Sequence, residues 1–328
     1  MHFWLDIADF ALKALLIVLA IGAIAFLIAR LSRAGGGGRR EPGVEIEPLN
    51  ERYRRDQSRL EAEILAKKEL KAARRANKKS LKTPPPEKRV FVLTFKGDIA
   101  ASAVKRLGRE IDAVLTVARP GTDEVVLRLD SPGGTVTGYG LAAAQLQRLR
   151  ARAVRLTACV DQVAASGGYM MACVADHIVA APFALVGSIG VVAQVPNLHR
   201  LLKRNNIDFE EITAGEHKRS VSILGEITPA GREHFRGKLD STHEAFKAFV
   251  KQNRPNVDVD AVGDGDVWLA TEALPLGLID EIGPGDGHIF ALRESASLFA
   301  VSLRERKTAM RLVLERFETA AKALRALV

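Results

Sequence analysis

Strand-like and helix-like segments alternate along residues 89–181, and this alternation limits the possible folds more than any other feature of the sequence. Short runs rich in valine, isoleucine and leucine end at glycine or proline, as buried strands do. Longer segments between them carry apolar residues every three or four positions, as amphipathic helices do. This order predicts an α/β fold with a parallel sheet and flanking helices. Strands are predicted over 89–95, 125–129, 155–160 and 178–181, and helices over 103–117, 138–149, 164–175 and 228–252.

The basic charge of the chain is confined to its first quarter. The 328 residues have a formal net charge of +9. Residues 1–89 hold 19 Lys/Arg and 11 Asp/Glu, so residues 90–328 hold 29 and 28 and are nearly neutral. This distribution argues against a nucleic-acid-binding domain. Cys159 and Cys173 are too few for a disulfide framework or a four-ligand zinc site and are expected in the core.

An uncharged run over residues 14–29, ALLIVLAIGAIAFLIA, predicts a single membrane-spanning helix within an N-terminal anchor, residues 1–31. The alternative is a cleaved signal peptide. Asp6 and Asp9 stand where such a peptide carries positive charge, and no small-residue cleavage site follows, so the anchor is favoured. Arg30, Arg33 and further arginines after the run place the bulk of the chain in the cytoplasm by the positive-inside rule.

Residues 32–89 read as a linker, with a hinge of four glycines at 35–38, a charged helix over 50–82 and a proline spacer at 84–86. The basic run in this linker has two interpretations: a solvated spacer, which is favoured, or a surface that binds lipid headgroups. A peptidase-sized domain is expected over 90–290, followed by a C-terminal extension over 291–328. Its basic amphipathic helix, 306–328, could pack on its own domain, on a neighbouring subunit or on the membrane.

Three glycine-containing loops follow strands in the predicted domain: DSPGG at 130–134, ASGGY at 165–169 and GSIG at 187–190. Glycine lets backbone N–H groups approach a ligand closely, so such loops can form an oxyanion hole. The competing idea of a phosphate loop has little support, because neither of the common nucleotide-binding glycine patterns occurs.

Ser166 lies between a strand and an apolar helix, where a serine serves either as a nucleophile or as the N-cap of the helix. A nucleophilic serine needs a base, and the seven histidines provide no clear candidate. Lysine serves as a base only when neutral, which burial favours. From the local sequence alone, Lys218, next to Arg219 in a polar loop, reads as a surface charge.

The segments LRLDSPGGTVTGYG, VAASGGYMMACVAD, VGSIGVVAQ and TAGEHKRSVSILGE resemble the signal peptide peptidase A family of Ser–Lys proteases, in particular its SohB branch. The resemblance covers about residues 90–285. It implies that Ser166 is the nucleophile, Lys218 the general base and Ser188 the hydroxyl that holds the lysine amine. It also implies that the backbone N–H groups of Gly134 and Gly167 line the oxyanion hole.

The resemblance further implies a Clp protease/crotonase-like fold, a homo-oligomer whose dyad can be completed across a subunit boundary, and no metal or other cofactor. Expected substrates are signal-peptide remnants or small membrane-associated peptides. The expected location is the inner membrane of a bacterium, on the periplasmic side by family analogy. Expected substrate-lining residues are Gly133, Ala165, Gly187, Ile189 and His217, where histidine replaces the family's usual aromatic residue.

Two other functions fit a chain of this class. A crotonase-type acyl-CoA hydratase or isomerase would use the glycine loops for a thioester oxyanion, but no glutamate stands at the Ser166 position. A catalytically silent membrane scaffold would bind peptides without cleaving them, and the complete Ser166, Lys218 and Ser188 set argues against it.

Overall fold

The structure is a computed structural model that describes residues 43–80, 84–215 and 217–304, together with Lys13. Glu45–Ser302 form one compact unit. The predicted anchor over 1–31 and the helix over 306–328 lie outside the described residues, apart from Lys13. Within the described part of the chain, no helix is both long enough and apolar enough to cross a bilayer. The proposed boundary at residue 90 stays a prediction.

The alternation of strands and helices is present along residues 89–180. The elements, in chain order, are β1 (Val44–Pro48), α1 (Leu49–Ile64), α2 (Lys67–Ser80), β2 (Arg89–Lys96), α3 (Val104–Leu115), β3 (Glu124–Ser131), α4 (Val136–Ala151), β4 (Arg155–Ala165), α5 (Gly167–Ala172), β5 (His177–Ala180), β6 (Leu185–Gly187), α6 (His199–Arg204), α7 (Pro229–Asn253), α8 (Val259–Val262), β7 (Val267–Leu269), α9 (Ala270–Ala273), β8 (Glu281–Ile282), α10 (Gly285–Leu292) and β9 (Ser297–Leu303).

The strands form one sheet in the order β1-β9-β2-β3-β4-β5-β8, and β6 pairs with both β4 and β7. The neighbours β2, β3, β4 and β5 run parallel, as predicted. The β6–β7 pair is antiparallel, so the sheet is mixed rather than wholly parallel. Apolar periodicity does not encode the direction of a strand, which is why the sequence did not predict this reversal. Parallel pairing matters for the site because it brings the carboxyl ends of β3 and β4 to one edge of the sheet.

The predicted helix over 164–175 is wrong at both ends. Ala164 and Ala165 belong to β4 and pair with Val186 and Gly187 of β6. Only six residues, Gly167–Ala172, form α5. The run of small apolar residues has the composition of a helix, but the neighbouring strand β6 gives Ala164 and Ala165 a ladder partner and extends β4 up to Ser166.

The predicted linker helix over 50–82 is also different, because α1 and α2 are separate helices. Leu65 has extended backbone angles (φ −91°, ψ 141°) and ends α1. The Glu69 carboxylate accepts the N–H of Ala66 at 3.3 Å and so begins α2. The start of α1 is bound to the sheet: Asn50 accepts the N–H of Leu298 at 2.7 Å and donates to two nearby carbonyls.

A buried carboxylate anchors the start of β2 to the loop before β3. The side chain of Asp123 is fully buried and accepts hydrogen bonds from Arg89 at 2.5 Å and Arg119 at 2.8 Å. Burial by itself raises the pKa of this carboxyl, but the two guanidinium groups outweigh it and hold the pKa well below the usual 3.8. Both cysteines are buried as expected, and burial raises the pKa of each thiol to about 12.

Candidate active site

Ser166 forms the sharp turn between β4 and α5. Its φ of 51° lies in the left-handed region, which costs a non-glycine residue conformational energy. Its N–H donates to the carbonyl of Gly187 at 2.8 Å, and its carbonyl accepts the N–H of Met170 at 2.9 Å. The side chain makes no capping hydrogen bond to α5. The backbone N–H and carbonyl of Ser166 are therefore both held by hydrogen bonds, while its hydroxyl takes no part in capping.

The DSPGG loop after β3 lies directly against this turn. Gly133 has a φ of 90°, and a Cβ added to it would lie 2.8 Å from the Ser166 Cβ and the Gly167 nitrogen. A Cβ on Gly134 would overlap the backbone of Ile99. Both positions therefore need glycine, and at Gly133 the missing side chain is what lets the loop approach Ser166.

Two hydroxyl groups, those of Ser131 and Tyr139, connect the DSPGG loop by hydrogen bonds to the segment before α3. The N–H of Gly133 donates to the Ser131 hydroxyl oxygen at 3.1 Å. The Ser131 and Tyr139 hydroxyl oxygens are 2.6 Å apart, and Tyr139 donates to the carbonyl of Asp98 at 2.9 Å. Since Tyr139 has one hydroxyl proton, Ser131 donates its own to Tyr139. Burial is the main cause of the raised pKa of Tyr139, so this proton is retained.

A cavity of 290 Å³ opens beside Ser166, and Gly134 and Gly167 contribute to its wall. Among the described residues, the N–H groups of these two glycines donate to no protein acceptor. A carbonyl oxygen that developed negative charge next to Ser166 could use both donors. The rest of the wall is mainly apolar and comes largely from α4, α5 and α7: Val136, Ala143, Met170, Ala245, Phe246 and Phe249.

Lys218 lies in a different place. It is exposed in the loop between α6 and α7, where its N–H donates to the carbonyl of Gly215 at 3.1 Å. It lines a separate cavity of 620 Å³ with residues such as Phe209 and Ile212. In the described part of the chain, no hydrogen bond joins Lys218 to Ser166 or Ser188. Within the described residues, the two predicted dyad residues therefore line different cavities and share no hydrogen bond.

The loop of Lys218 rests on the first turns of α7. His217 stacks on His234 with ring centroids 3.8 Å apart and planes 10° from parallel. Gly231 faces the carbonyl of Ser220 so closely that any side chain at this position would overlap it. The two loop residues in contact, His217 and Ser220, lie on either side of Lys218 in the sequence. Gly231 and His234 are three residues apart on α7, so both contacts come from one face of that helix.

Ser188 follows β6 and has a φ of 51°. Its N–H donates to the carbonyl of Asp266 at 2.6 Å. The preceding residue, Gly187, is the acceptor for the Ser166 N–H, so the GSIG loop and the Ser166 turn are directly connected. Ile189 is fully buried, and its carbonyl contacts the His243 Nε2 at 3.0 Å.

The expected substrate-lining residues are placed around the site rather than in the wall of the Ser166 cavity. Gly133, Ala165 and Gly187 hold the Ser166 turn, and His217 lies with Lys218. The sequence interpretation did not include Ser131, Tyr139, Phe246 or Phe249. Tyr139 lies within the quoted motif and Phe246 lies on a predicted amphipathic helix, but neither pattern indicates which residues meet in space. Within the described residues, no group of three or more His, Cys, Asp or Glu side chains could hold a metal ion.

Comparison with known families defines the class of protein. Residues 2–146 match the N-terminal part of peptidase family S49, and residues 148–298 match peptidase family S49 itself. The chain belongs to this family, and it is a protease. The resemblance to the signal peptide peptidase A family and its SohB branch is thereby confirmed.

Curated relatives carry the SohB name. The chain is 44% identical over 315 residues to the probable protease SohB of Haemophilus influenzae, an alignment covering 91% of this chain and 88% of that protein. It is 50% identical over 231 residues to the probable protease SohB of Buchnera aphidicola subsp. Acyrthosiphon pisum, covering 70% of this chain and 67% of that protein. Among solved structures, a mutant of the 1510-N membrane-bound stomatin-specific protease is similar. The superposition covers 60% of the present chain and 80% of the protease chain, with 18% sequence identity and a TM-score of 0.38.

Proposed function

We propose that the protein is a serine endopeptidase that uses Ser166 as nucleophile and Lys218 as general base. The neutral lysine amine accepts the Ser166 hydroxyl proton while the oxygen attacks the peptide carbonyl. The N–H groups of Gly134 and Gly167 stabilise the resulting oxyanion, each lowering the barrier by roughly 3–4 kcal/mol. The lysine then gives its proton to the departing amine as the C–N bond breaks, and water hydrolyses the acyl-serine ester. Ser188 holds the lysine amine.

The observation that carries this proposal is the strained Ser166 turn. A serine with positive φ, free of any capping role, borders an apolar cavity together with two N–H donors. Its position between a strand and a short helix also supports the proposed relationship to the Clp protease and crotonase fold. Labelling of Ser166 by a fluorophosphonate or a β-lactone, abolished in Ser166→Ala, tests the nucleophile directly. Equal labelling of the variant would exclude it.

We further propose that Lys218 reaches Ser166 only in a homo-oligomer, in which a second copy supplies the lysine. In the single chain Lys218 is exposed and lines another cavity. A lysine base needs burial to be neutral, and a neighbouring subunit would provide that burial. Exposed apolar side chains on α6 and in the loop between α6 and α7 support a second copy as the partner; they include Leu201, Ile207, Phe209, Ile212 and Ile223.

Mixing two inactive variants tests the composite site. Ser166→Ala and Lys218→Ala are each expected to abolish peptide cleavage. The two variants are mixed in equal amounts, dissociated and reassembled together. If each site takes its serine from one copy and its lysine from another, about one quarter of the sites contain both intact residues, so about a quarter of the activity should return. If each chain completed its own site, mixing would restore no activity. Activity in either variant alone would overturn the Ser–Lys dyad itself.

The proposed substrates are apolar peptides such as signal-peptide remnants or small membrane-associated peptides. The cavity beside Ser166 has a volume of 290 Å³ and is lined mainly by apolar groups, which suits a leucine or phenylalanine side chain next to the scissile bond. Phe246→Asp is expected to lower the kcat/KM for peptides with leucine at this position far more than for peptides with alanine. An equal loss for both would show that the cavity does not select the substrate.

We also propose that residues 1–31 anchor the protein in the inner membrane of a bacterium by a single span. The uncharged run over 14–29 supports the anchor, whereas the arginines after it and the family analogy favour opposite sides of the membrane. Protease accessibility of residues 90–304 in spheroplasts and in inverted vesicles distinguishes the two. Digestion only in inverted vesicles places the peptidase in the cytoplasm, and digestion only in spheroplasts places it in the periplasm.

A further inference from the structure

Helix α2 differs sharply in charge from α1, the helix that precedes it. Over Lys67–Ser80, α2 has seven Lys/Arg and a single acidic residue, Glu69. Over Leu49–Ile64, α1 has four Lys/Arg and four Asp/Glu. The strong positive charge of the linker helices is therefore concentrated in fourteen residues, and α1 provides a neutral helix of similar length for comparison.

The seven basic residues of α2 lie on one side of the helix. At 3.6 residues per turn they fall within an arc of about 140°. All seven are exposed: Lys67, Lys68, Lys71, Arg74, Arg75, Lys78 and Lys79. The half-buried residues Leu70, Ala73 and Asn77 lie on another side, and Asn77 donates to the Glu61 carboxylate of α1 at 3.2 Å. We call the exposed arc the basic face of α2.

The basic face of α2 has no partner within the described part of the chain. None of its seven cations forms an ion pair or a side-chain hydrogen bond there. Like charges three and four residues apart on a helix repel one another. Several such pairs occur along this face, so an anionic surface that neutralised them would stabilise the helix as well as bind it.

We infer that the basic face of α2 binds the anionic headgroups of the lipid bilayer. Each Lys or Arg near an anionic leaflet contributes about a fivefold gain in binding, so several acting together give a strong attraction. The face has no aromatic or large apolar residue, so it would rest on the headgroups without entering the hydrocarbon. Single-stranded nucleic acid is the less suitable partner, because its binding sites usually provide aromatic rings for the bases.

This binding would hold the peptidase close to the membrane surface. The predicted span ends near residue 29, and the start of α1 is held by three hydrogen bonds of Asn50, one to Leu298 of β9 and two to the turn before β9. Headgroup contact by α2 is independent of the proposed peptidase chemistry, so it should be unchanged in Ser166→Ala. Its loss would leave both the proposed anchor and the proposed dyad in place.

Lysine acetylation in nanodiscs tests the inference on the full chain. Discs of phosphatidylcholine alone are compared with discs that contain one-third phosphatidylglycerol, at low and high salt. In anionic discs at low salt, the α2 lysines should be acetylated at least about fivefold more slowly than in neutral discs, and high salt should remove this protection. The exposed Lys105 and Lys238 serve as internal references whose rates should not change.

Two charge-reversal variants provide a matched comparison. Lys71→Glu/Arg74→Glu/Arg75→Glu should bring the remaining α2 lysines within about twofold of their rates in neutral discs. Arg54→Glu/Arg55→Glu/Arg59→Glu makes the same charge change in α1 and should leave the protection of α2 intact. Equal α2 rates in neutral and anionic discs, or equal effects of both variants, would overturn the inference. Protection in both lipids that disappears with nuclease would show nucleic acid as the partner and would overturn it as well.

Discussion

The hydroxyl chain beneath the DSPGG loop leads to a prediction about Tyr139. Tyr139→Phe removes one oxygen from a fully buried side chain and keeps the ring, including its edge contact with Phe95. The change leaves the buried Ser131 hydroxyl without its acceptor, whereas the carbonyl of Asp98 keeps a second donor, the N–H of Ala101 at 2.9 Å. An unsatisfied buried polar group costs about 1–3 kcal/mol, so the free energy of unfolding should fall by about 2 kcal/mol.

The same substitution should also slow catalysis. Ser131 orients the N–H of Gly133, and Gly133 immediately precedes the proposed oxyanion donor of Gly134. Losing one oxyanion donor typically costs a factor of 10² to 10³ in kcat. Because the Gly134 N–H remains and only its positioning is weakened, we expect kcat to fall by about tenfold to thirtyfold with KM little changed. Urea unfolding and the hydrolysis of a fluorogenic peptide measure the two effects.

Tyr169→Phe is the matched control. Tyr169 is also fully buried and donates to a backbone carbonyl, that of Leu278, at 2.9 Å. The Tyr169→Phe variant should lose a similar free energy of unfolding, but its DSPGG loop should keep its hydrogen bonds. If Tyr139→Phe reduced kcat no more than Tyr169→Phe does at equal stability, the argument that the hydroxyl chain positions the oxyanion loop would be refuted.

Three further predictions concern other parts of the fold. His234→Ala removes the ring stacked on His217 and should lower peptide turnover about threefold to tenfold, with recovery in His234→Phe; unchanged turnover in the alanine variant would contradict this role. Asp123→Asn should lower the free energy of unfolding by about 3 kcal/mol at pH 7. The folded-state pKa of Asp123 is depressed, so its contribution to the free energy of unfolding is present above about pH 4 and is lost as the pH falls below that value. A stability difference between wild type and Asp123→Asn that stayed constant down to about pH 2 would argue against the ion pairs. Cys159 and Cys173 should resist iodoacetamide at pH 8 until the protein unfolds, and rapid alkylation of the folded chain, followed by mass spectrometry, would show that the core opens.

Much of the fold follows from local patterns. The strands β2, β3 and β5 and the helices α3, α4 and α7 lie within a few residues of their predicted positions. Each has an apolar period or a terminal glycine or proline, and these signals act over a few residues. The break at Leu65 and the extension of β4 through Ala165 were not predictable, because a side-chain contact and a strand partner decide them.

The site divides in the same way. The sequence by itself determined the family, the strand–loop–helix order and the three glycine loops, because these depend on residue types at fixed spacings. Only the tertiary structure decided that Ser166 does not cap α5, that Ser131 and Tyr139 support the loop beside it, and that Lys218 lines a different cavity from Ser166 in a single chain. These facts depend on which surfaces meet after the chain folds. Residues 52 positions apart, such as Ser166 and Lys218, carry no local signal of their separation in space.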